Sequence, residues 1–196
     1  MSRTYRYYVS TQPVVPPFWK GYCWDLLGEV DVPLLGEAAA LTVGRHDFIA
    51  FTPAETEHVF FERTVLGCRW RRTATDLAGA PGGRSAAPGV DTQAVRSGGG
   101  RGMLYLEIEA DAFLRHMVRT LVGTMVEVAQ GKRELADFAR LLEGGRRETA
   151  GPTAPARGLF LWDVKYRRRQ AGAAATAPGG ARDATGAAGR TEVATP

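Results

Sequence analysis

Between Asp111 and Gln130, apolar side chains recur at Phe113, Leu114, Met117, Val118, Leu121, Val122, Met125 and Val128–Ala129. The spacing predicts one helix over Asp111–Gln130, closed by Gly131, with an apolar stripe so wide that other elements must cover most of its surface. Two arginines, Arg115 and Arg119, interrupt it one turn apart on the same side. A guanidinium on a mostly buried helix is costly unless it is paired or faces a cleft. Two arrangements meet that condition. Either Arg119 holds a carboxylate or phosphate in a cleft, or both arginines reach the helix rim and pair with Glu107 or Glu109.

The layer that covers the helix is legible as strands. Arg3 to Ser10 alternates, with Tyr5, Tyr7 and Val9 on one face and Thr4, Arg6 and Tyr8 on the other, and Pro13, Pro16 and Pro17 end it. Leu104, Leu106 and Ile108 alternate with Tyr105, Glu107 and Glu109, the pattern of a half-buried strand. His58–Arg72, rich in β-branched and aromatic residues, and Leu159–Tyr166 read as two more. Asp31-Val32-Pro33 opens a helix carrying Leu34, Leu35, Ala38 and Leu41, with Asp31 as its cap. A shorter helix over Glu134–Glu143 places Leu135, Phe138 and Leu142 on one face, with Gly144 at its end.

Strands close in sequence and irregularly interleaved with helices predict an α+β fold, a mostly antiparallel sheet with helices packed on one face. The domain is expected over residues 1–169. Within it, residues 73–102, with Pro81-Gly82-Gly83 and Gly98-Gly99-Gly100, read as a flexible Gly/Ala-rich insertion between two strands. Residues 170–196, with ten Ala and five Gly among 27, bury too little to offset their backbone entropy and read as a disordered tail.

Of 25 basic residues 22 are Arg, and the net charge of +4 falls on residues 1–169 because the charges of the tail cancel. Arginine suits phosphates and base edges, since its planar fork makes paired hydrogen bonds and stacks on rings. A compositionally biased genome would give the same excess. No apolar run approaches the roughly 18–20 residues of a membrane span, and Met1–Arg6 has no apolar signal region. Cys23 and Cys68 form neither a disulfide framework nor a metal knuckle, so a reducing, cytoplasmic compartment is expected. There is no P-loop, dinucleotide fingerprint, serine elbow or CxxC, and His46, His58 and His116 are not at metal spacing, which argues against a hydrolase or a metalloenzyme.

Two further stretches each carry two readings. Arg3-Thr4-Tyr5-Arg6-Tyr7-Tyr8 is either a base-stacking platform with phosphate-binding arms or an exposed strand bearing Tyr and Arg for no ligand reason. Gly44-Arg45-His46-Asp47-Phe48-Ile49-Ala50-Phe51, taken alone, reads as a loop whose His46 and Asp47 cap neighbouring backbone.

In order along the chain stand Arg3-Thr4-Tyr5-Arg6-Tyr7, Pro17-Phe18, Gly44-Arg45-His46-Asp47-Phe48 with Phe51, and Arg63-Thr64-Val65. Phe113-Leu114-Arg115-His116-Met117-Val118-Arg119 with Gly123, then Gly131-Lys132, and finally Gly151-Pro152-Thr153-Ala154-Pro155-Ala156-Arg157-Gly158-Leu159 complete the series. This ordered set, spanning roughly residues 3–166, resembles the C-terminal half of bacterial tRNA pseudouridine synthase A. The resemblance implies isomerisation of uridine to pseudouridine in the tRNA anticodon stem-loop, without metal or organic cofactor. It implies a flipped-out uridine, Tyr5 packed on the target base, and Arg119 paired with a catalytic Asp. Arg3, Arg115 and His116, in the same motifs, are expected to bind substrate.

The sequence departs from the family at one point. The Gly-Arg-Thr-Asp-Ala-Gly-Val-His type motif that carries the catalytic Asp precedes the Arg-x-Tyr-x-Tyr strand in the family and occurs nowhere in this chain. Arg72-Thr73-Ala74-Thr75-Asp76-Leu77-Ala78-Gly79 imitates it in the wrong order, inside the expected insertion. The chain is therefore expected to be inactive alone. A homodimer, or a separate N-terminal domain that supplies the Asp, is the expected partner beside tRNA. A non-catalytic RNA-binding module or a non-functional remnant is the alternative.

Overall fold

The computed structural model describes residues 1–56, 59–73 and 102–166. Its centre is an antiparallel pair, β1 (Ser2–Ser10) and β5 (Met103–Ala110), in register from Arg3 opposite Ala110 to Ser10 opposite Met103. β4 (Glu62–Arg72) pairs antiparallel with β5, with a register shift between Val65 and Gly67, and β3 (Gly44–Asp47) pairs antiparallel with β4 at the edge. On the other side of β1, β6 (Leu159–Lys165) runs antiparallel beside Ser2–Tyr7, and the short β2 (Trp24–Asp25) runs parallel beside Val9 and Ser10. The sheet order is β2-β1-β5-β4-β3, with β6 also on β1.

Strand alternation separates the two faces of this sheet. Tyr7, Val9, Leu104, Leu106 and Ile108 point into one core with Leu35, Ala38, Met117, Leu121, Met125 and Phe138 of the helices. The opposite face carries a small cluster around Tyr8, Cys23 and Met103, and beside it a row of ion pairs. There Glu107 is shared by Arg6 at 2.6 Å and Arg69 at 2.5 Å, and Glu109 is held by Lys165 at 2.9 Å. The α+β class, the mostly antiparallel sheet and the one-sided helices all stand as expected.

Among the described residues the α-helices are α1 (Val32–Leu41), α2 (Met117–Ala129) and α3 (Leu135–Leu141). Asp31 caps α1 by accepting from the Leu34 amide at 3.1 Å, with Pro33 in the first turn; such a cap contributes about 1 kcal/mol. In α2 every residue except Arg119 and Glu127 is buried. No helix among the described residues is long and apolar enough to cross a membrane.

Three boundaries differ from the sequence expectation. α2 begins at Met117 and not at Asp111. The Asp111 carboxylate accepts from the amides of Thr64 (3.1 Å) and Ala112 (2.6 Å), which ties the segment to β4, and His116 adopts left-handed φ = 61°, which no α-helix continues through. Leu114 is therefore buried, and Phe113 half-buried, by a turn. Gly44–Asp47 is a strand and not a loop, although the local bonds of its side chains are present: Asp47 accepts from the Ile49 amide at 2.9 Å, and His46 Nε2 lies 3.1 Å from the Val43 carbonyl. β4 starts at Glu62, after the exposed Val59 and Phe60, and His58 lies outside the described residues. The expected insertion over 73–102 also lies outside them except for its ends, where the Thr73 amide donates to Met103 and Thr11 to Gly102, each at 3.0 Å. Asp76 and the tail over 170–196 are likewise outside.

Candidate functional site

The site is built where a strap, Gly151–Gly158, crosses α2 and reaches β1. Glycine makes the crossing possible. A Cβ on Gly123 would stand 1.8 Å from the Pro152 carbonyl oxygen, and one on Gly151 would stand 2.8 Å from Thr124 Cα. At that closeness hydroxyls and main chain interlock: the Gly151 amide donates to Thr124 Oγ1 at 3.0 Å, and Thr124 Oγ1 donates to the Thr120 carbonyl at 2.8 Å. Arg147 grips the outer side of the strap, donating to the Gly151 carbonyl (3.1 Å) and to Thr153 Oγ1 (3.0 Å).

Arg119 is bound to the strap twice. Its Nε donates to the Ala154 carbonyl at 2.7 Å, and its own carbonyl accepts from the Ala154 amide at 3.1 Å. Among the described residues its terminal nitrogens make neither a hydrogen bond nor an ion pair. The rim alternative does not occur, because Glu107 and Glu109 lie on the opposite face and are occupied by Arg6, Arg69, Ser2 and Lys165. The side chain is fixed at one nitrogen and presents two more.

Tyr7 sits beside it. The buried phenol donates to the Pro155 carbonyl at 2.6 Å. Burial pushes its pKa well above the ordinary tyrosine value, against the opposing charges of Arg119 and Arg157, so the hydroxyl stays a neutral donor. Both guanidinium groups are thus close enough to Tyr7 to act on it. Tyr5 lies one pleat away on the same face, half-buried, with its ring edge-on to Phe113 at 5.0 Å between centroids. Arg3 shares that face by alternation, towards the start of the strand.

Arg3 and Tyr5 therefore lie on the face of β1 that meets the helices, and Arg119 lies on α2, which packs against that face. Arg115 and His116 arrive differently from the expectation. They belong to the turn before α2 and not to a helical stripe shared with Arg119, and Arg115 is exposed. His116 is half-buried, and desolvation, followed by the charges of Arg119, Arg115 and Arg147, holds its pKa below the usual histidine value. At neutral pH it is an uncharged imidazole among cations. Sequence reasoning gave no role to Tyr7, Arg147 or Arg157. Tyr7 was detectable from its alternation with Tyr5; the two arginines act through contacts remote in sequence.

A cavity of about 600 Å³, lined by Thr4, Arg69, Glu107 and Trp162 among others, opens on the opposite face and includes none of these residues. Among the described residues no cluster of His, Cys, Asp or Glu has the arrangement of a metal centre.

Comparison with known proteins meets this geometry. The family model described as tRNA pseudouridine synthase matches residues 38–167, which include Arg115, His116, Arg119 and the whole strap. The chain is similar to tRNA pseudouridine synthase A of Myxococcus xanthus, 35% identical over 182 residues, covering 93% of this chain and 58% of that protein. It is 37% identical over 164 residues to the Moorella thermoacetica protein of the same name, covering 83% and 55%. It is 30% identical over 166 residues to that of Bacillus subtilis, covering 85% and 56%. The chain thus spans little more than half the length of the curated relatives it matches.

Proposed function

This chain belongs to the tRNA pseudouridine synthase family, and we propose that it forms the base-cradling, arginine-bearing half of an enzyme that isomerises uridine to pseudouridine in the anticodon stem-loop of tRNA. A flipped-out uridine stacks on Tyr5, a contact of about 1–3 kcal/mol. The terminal nitrogens of Arg119 hold an aspartate carboxylate contributed by polypeptide outside these 196 residues, from an N-terminal domain joined to it or separate. The pairing keeps that carboxylate ionised and oriented, and the apolar wall of α2 and Phe113 limits its solvation. The carboxylate triggers cleavage of the glycosidic bond, the freed base turns, and the ribose is rejoined through carbon, so the net composition of the nucleotide is unchanged. Arg3, Arg115 and His116 bind the RNA around the target base. The same reading expects no metal or organic cofactor, a cytoplasmic location, and a homodimer or a separate N-terminal domain as the protein partner.

The observation that carries this reading is Arg119: a half-buried guanidinium on an otherwise nearly buried helix, fixed through Nε and, among the described residues, unclaimed at its other two nitrogens. The test is tritium release from carbon-5-labelled uridine in tRNA. The chain alone releases none above background. Supplied with the Asp-bearing segment of a relative it does, and Arg119→Ala abolishes that release. Turnover by the pure chain alone, or full turnover by the reconstituted Arg119→Ala variant, would overturn the reading. RNA binding with no turnover in any reconstitution would make the chain a binding module instead.

A further inference from the structure

Arg157 occupies a place that neither strand pairing nor core packing explains. It lies in the 3₁₀ turn Ala156–Gly158 that leads into β6, at the gap where β6 ends its pairing with β1 at Tyr7 and β2 begins at Val9. Its Nε donates to the carbonyl of Cys23, the residue before β2, at 2.9 Å. That bond orients an exposed guanidinium across the gap in the same manner as the bond from Arg119 Nε to Ala154.

Three contacts fix the turn that carries it. Tyr7 donates to Pro155, two residues earlier. Arg119 holds Ala154 through both main chain and side chain. Gly158 lies so close to β1 that a Cβ there would stand 2.8 Å from Tyr7 Cζ and from the Tyr8 carbonyl oxygen. Arg119 on α2 thus holds the strap at Ala154, Arg157 stands on the turn that ends the strap, and the charges of both act on the Tyr7 hydroxyl. Among the described residues neither makes an ion pair, and the terminal nitrogens of Arg157, like those of Arg119, make no hydrogen bond. Asp25, the nearest acid in sequence to Cys23, makes no ion pair with it. Two cations that both act on Tyr7, neither in an ion pair among the described residues, favour an anion at this surface.

We propose that Arg157 is a substrate-positioning residue that takes a phosphodiester of the bound RNA, beside the nucleotide whose base is handled at Tyr5 and Arg119. The proposal rests on the RNA reading above. Arginine fits the role because its fork binds phosphate oxygens in pairs while Nε remains on Cys23. Because the contact is to backbone, it strengthens binding irrespective of the base sequence.

The test is binding of a short uridine-containing RNA stem-loop by the full chain, measured over a series of salt concentrations. Arg157→Gln is expected to reduce the slope of log Kd against log salt by about 0.7–0.9, the amount for one phosphate contact. It should weaken binding alike for stem-loops of different sequence. Arg157→Lys, which keeps the charge, is expected to restore the slope. Thermal unfolding of both variants separates this from a structural role. If both lose affinity equally, melt early and keep the parental slope, Arg157 serves only to tie the turn to Cys23 and the proposal is overturned. An unchanged slope and affinity in Arg157→Gln would overturn it as well, while leaving the RNA reading intact. Failure of the unaltered chain to bind the stem-loop at any salt concentration would remove both.

Discussion

At the scale of single residues, the site depends on two tyrosines with different tasks. Tyr5 offers a ring face and an edge contact to Phe113, so Tyr5→Phe should retain most RNA affinity and reconstituted turnover, while Tyr5→Leu loses much more; equal losses would give the task to the hydroxyl. Tyr7 is needed for its hydroxyl. Tyr7→Phe leaves the carbonyl of the half-buried Pro155 without its donor, and a loss of about 1 kcal/mol is expected, read as a lowered Tm. Gly158→Ala is the harsher change, because the added methyl meets a buried ring and a strand carbonyl, neither of which gives way easily. A destabilisation of about 1–3 kcal/mol is expected in thermal or urea unfolding. A variant as stable as the parent would mean that the turn and β1 are not so closely packed.

Elements were legible in proportion to how much of their pattern is local. β5 declares itself by alternation, because Leu104, Leu106 and Ile108 are buried while Glu107 and Glu109 take the other face; β1 alternates less cleanly, because its outer face carries Arg6 but also buries Tyr8. Asp31 marks the start of α1 because a cap is a bond across three residues. The start of α2 is not legible in the sequence for a physical reason: Phe113 and Leu114 are apolar because they pack against the core, and such packing does not distinguish a turn from a helix. The elements that decide the matter, the Asp111 carboxylate on Thr64 and the left-handed His116, depend on a partner strand or on backbone geometry. β3 has the sequence pattern of a loop because four residues at a sheet edge give too little alternation, and its side chains make loop-like local bonds. In the site, Tyr5 and Arg119 lie within motifs. Arg157 was not assigned a role because its partner, Cys23, is 134 positions away.

At the scale of the whole molecule, the outer face of the sheet sets a pH dependence. Burial raises the pKa of Glu107, but hydrogen bonds from Arg69 and Arg6, with their charges, outweigh it and leave the carboxyl below its usual value. A group depressed on folding contributes stability above its unfolded pKa, near 4.3, and that contribution disappears as pH falls through the lower folded value. The Tm of the parent should therefore fall as pH is lowered below about 4.5, and Glu107→Gln should show a shallower fall over the same range. Parallel curves would mean that Arg6 and Arg69 do not stabilise the ionised form.

The double attachment of Arg119 to Ala154 has a consequence for how variants of this protein will behave. Since the main chain of the strap and the guanidinium are joined at one residue, neither moves without the other. On the proposed reading, changes along Pro152–Pro155 would turn the arginine away from the carboxylate it is to hold and register as failed chemistry in an otherwise folded protein. A mutational survey scored by activity alone would then mark this stretch as catalytic, although its part is to aim a side chain that belongs to the helix beneath it.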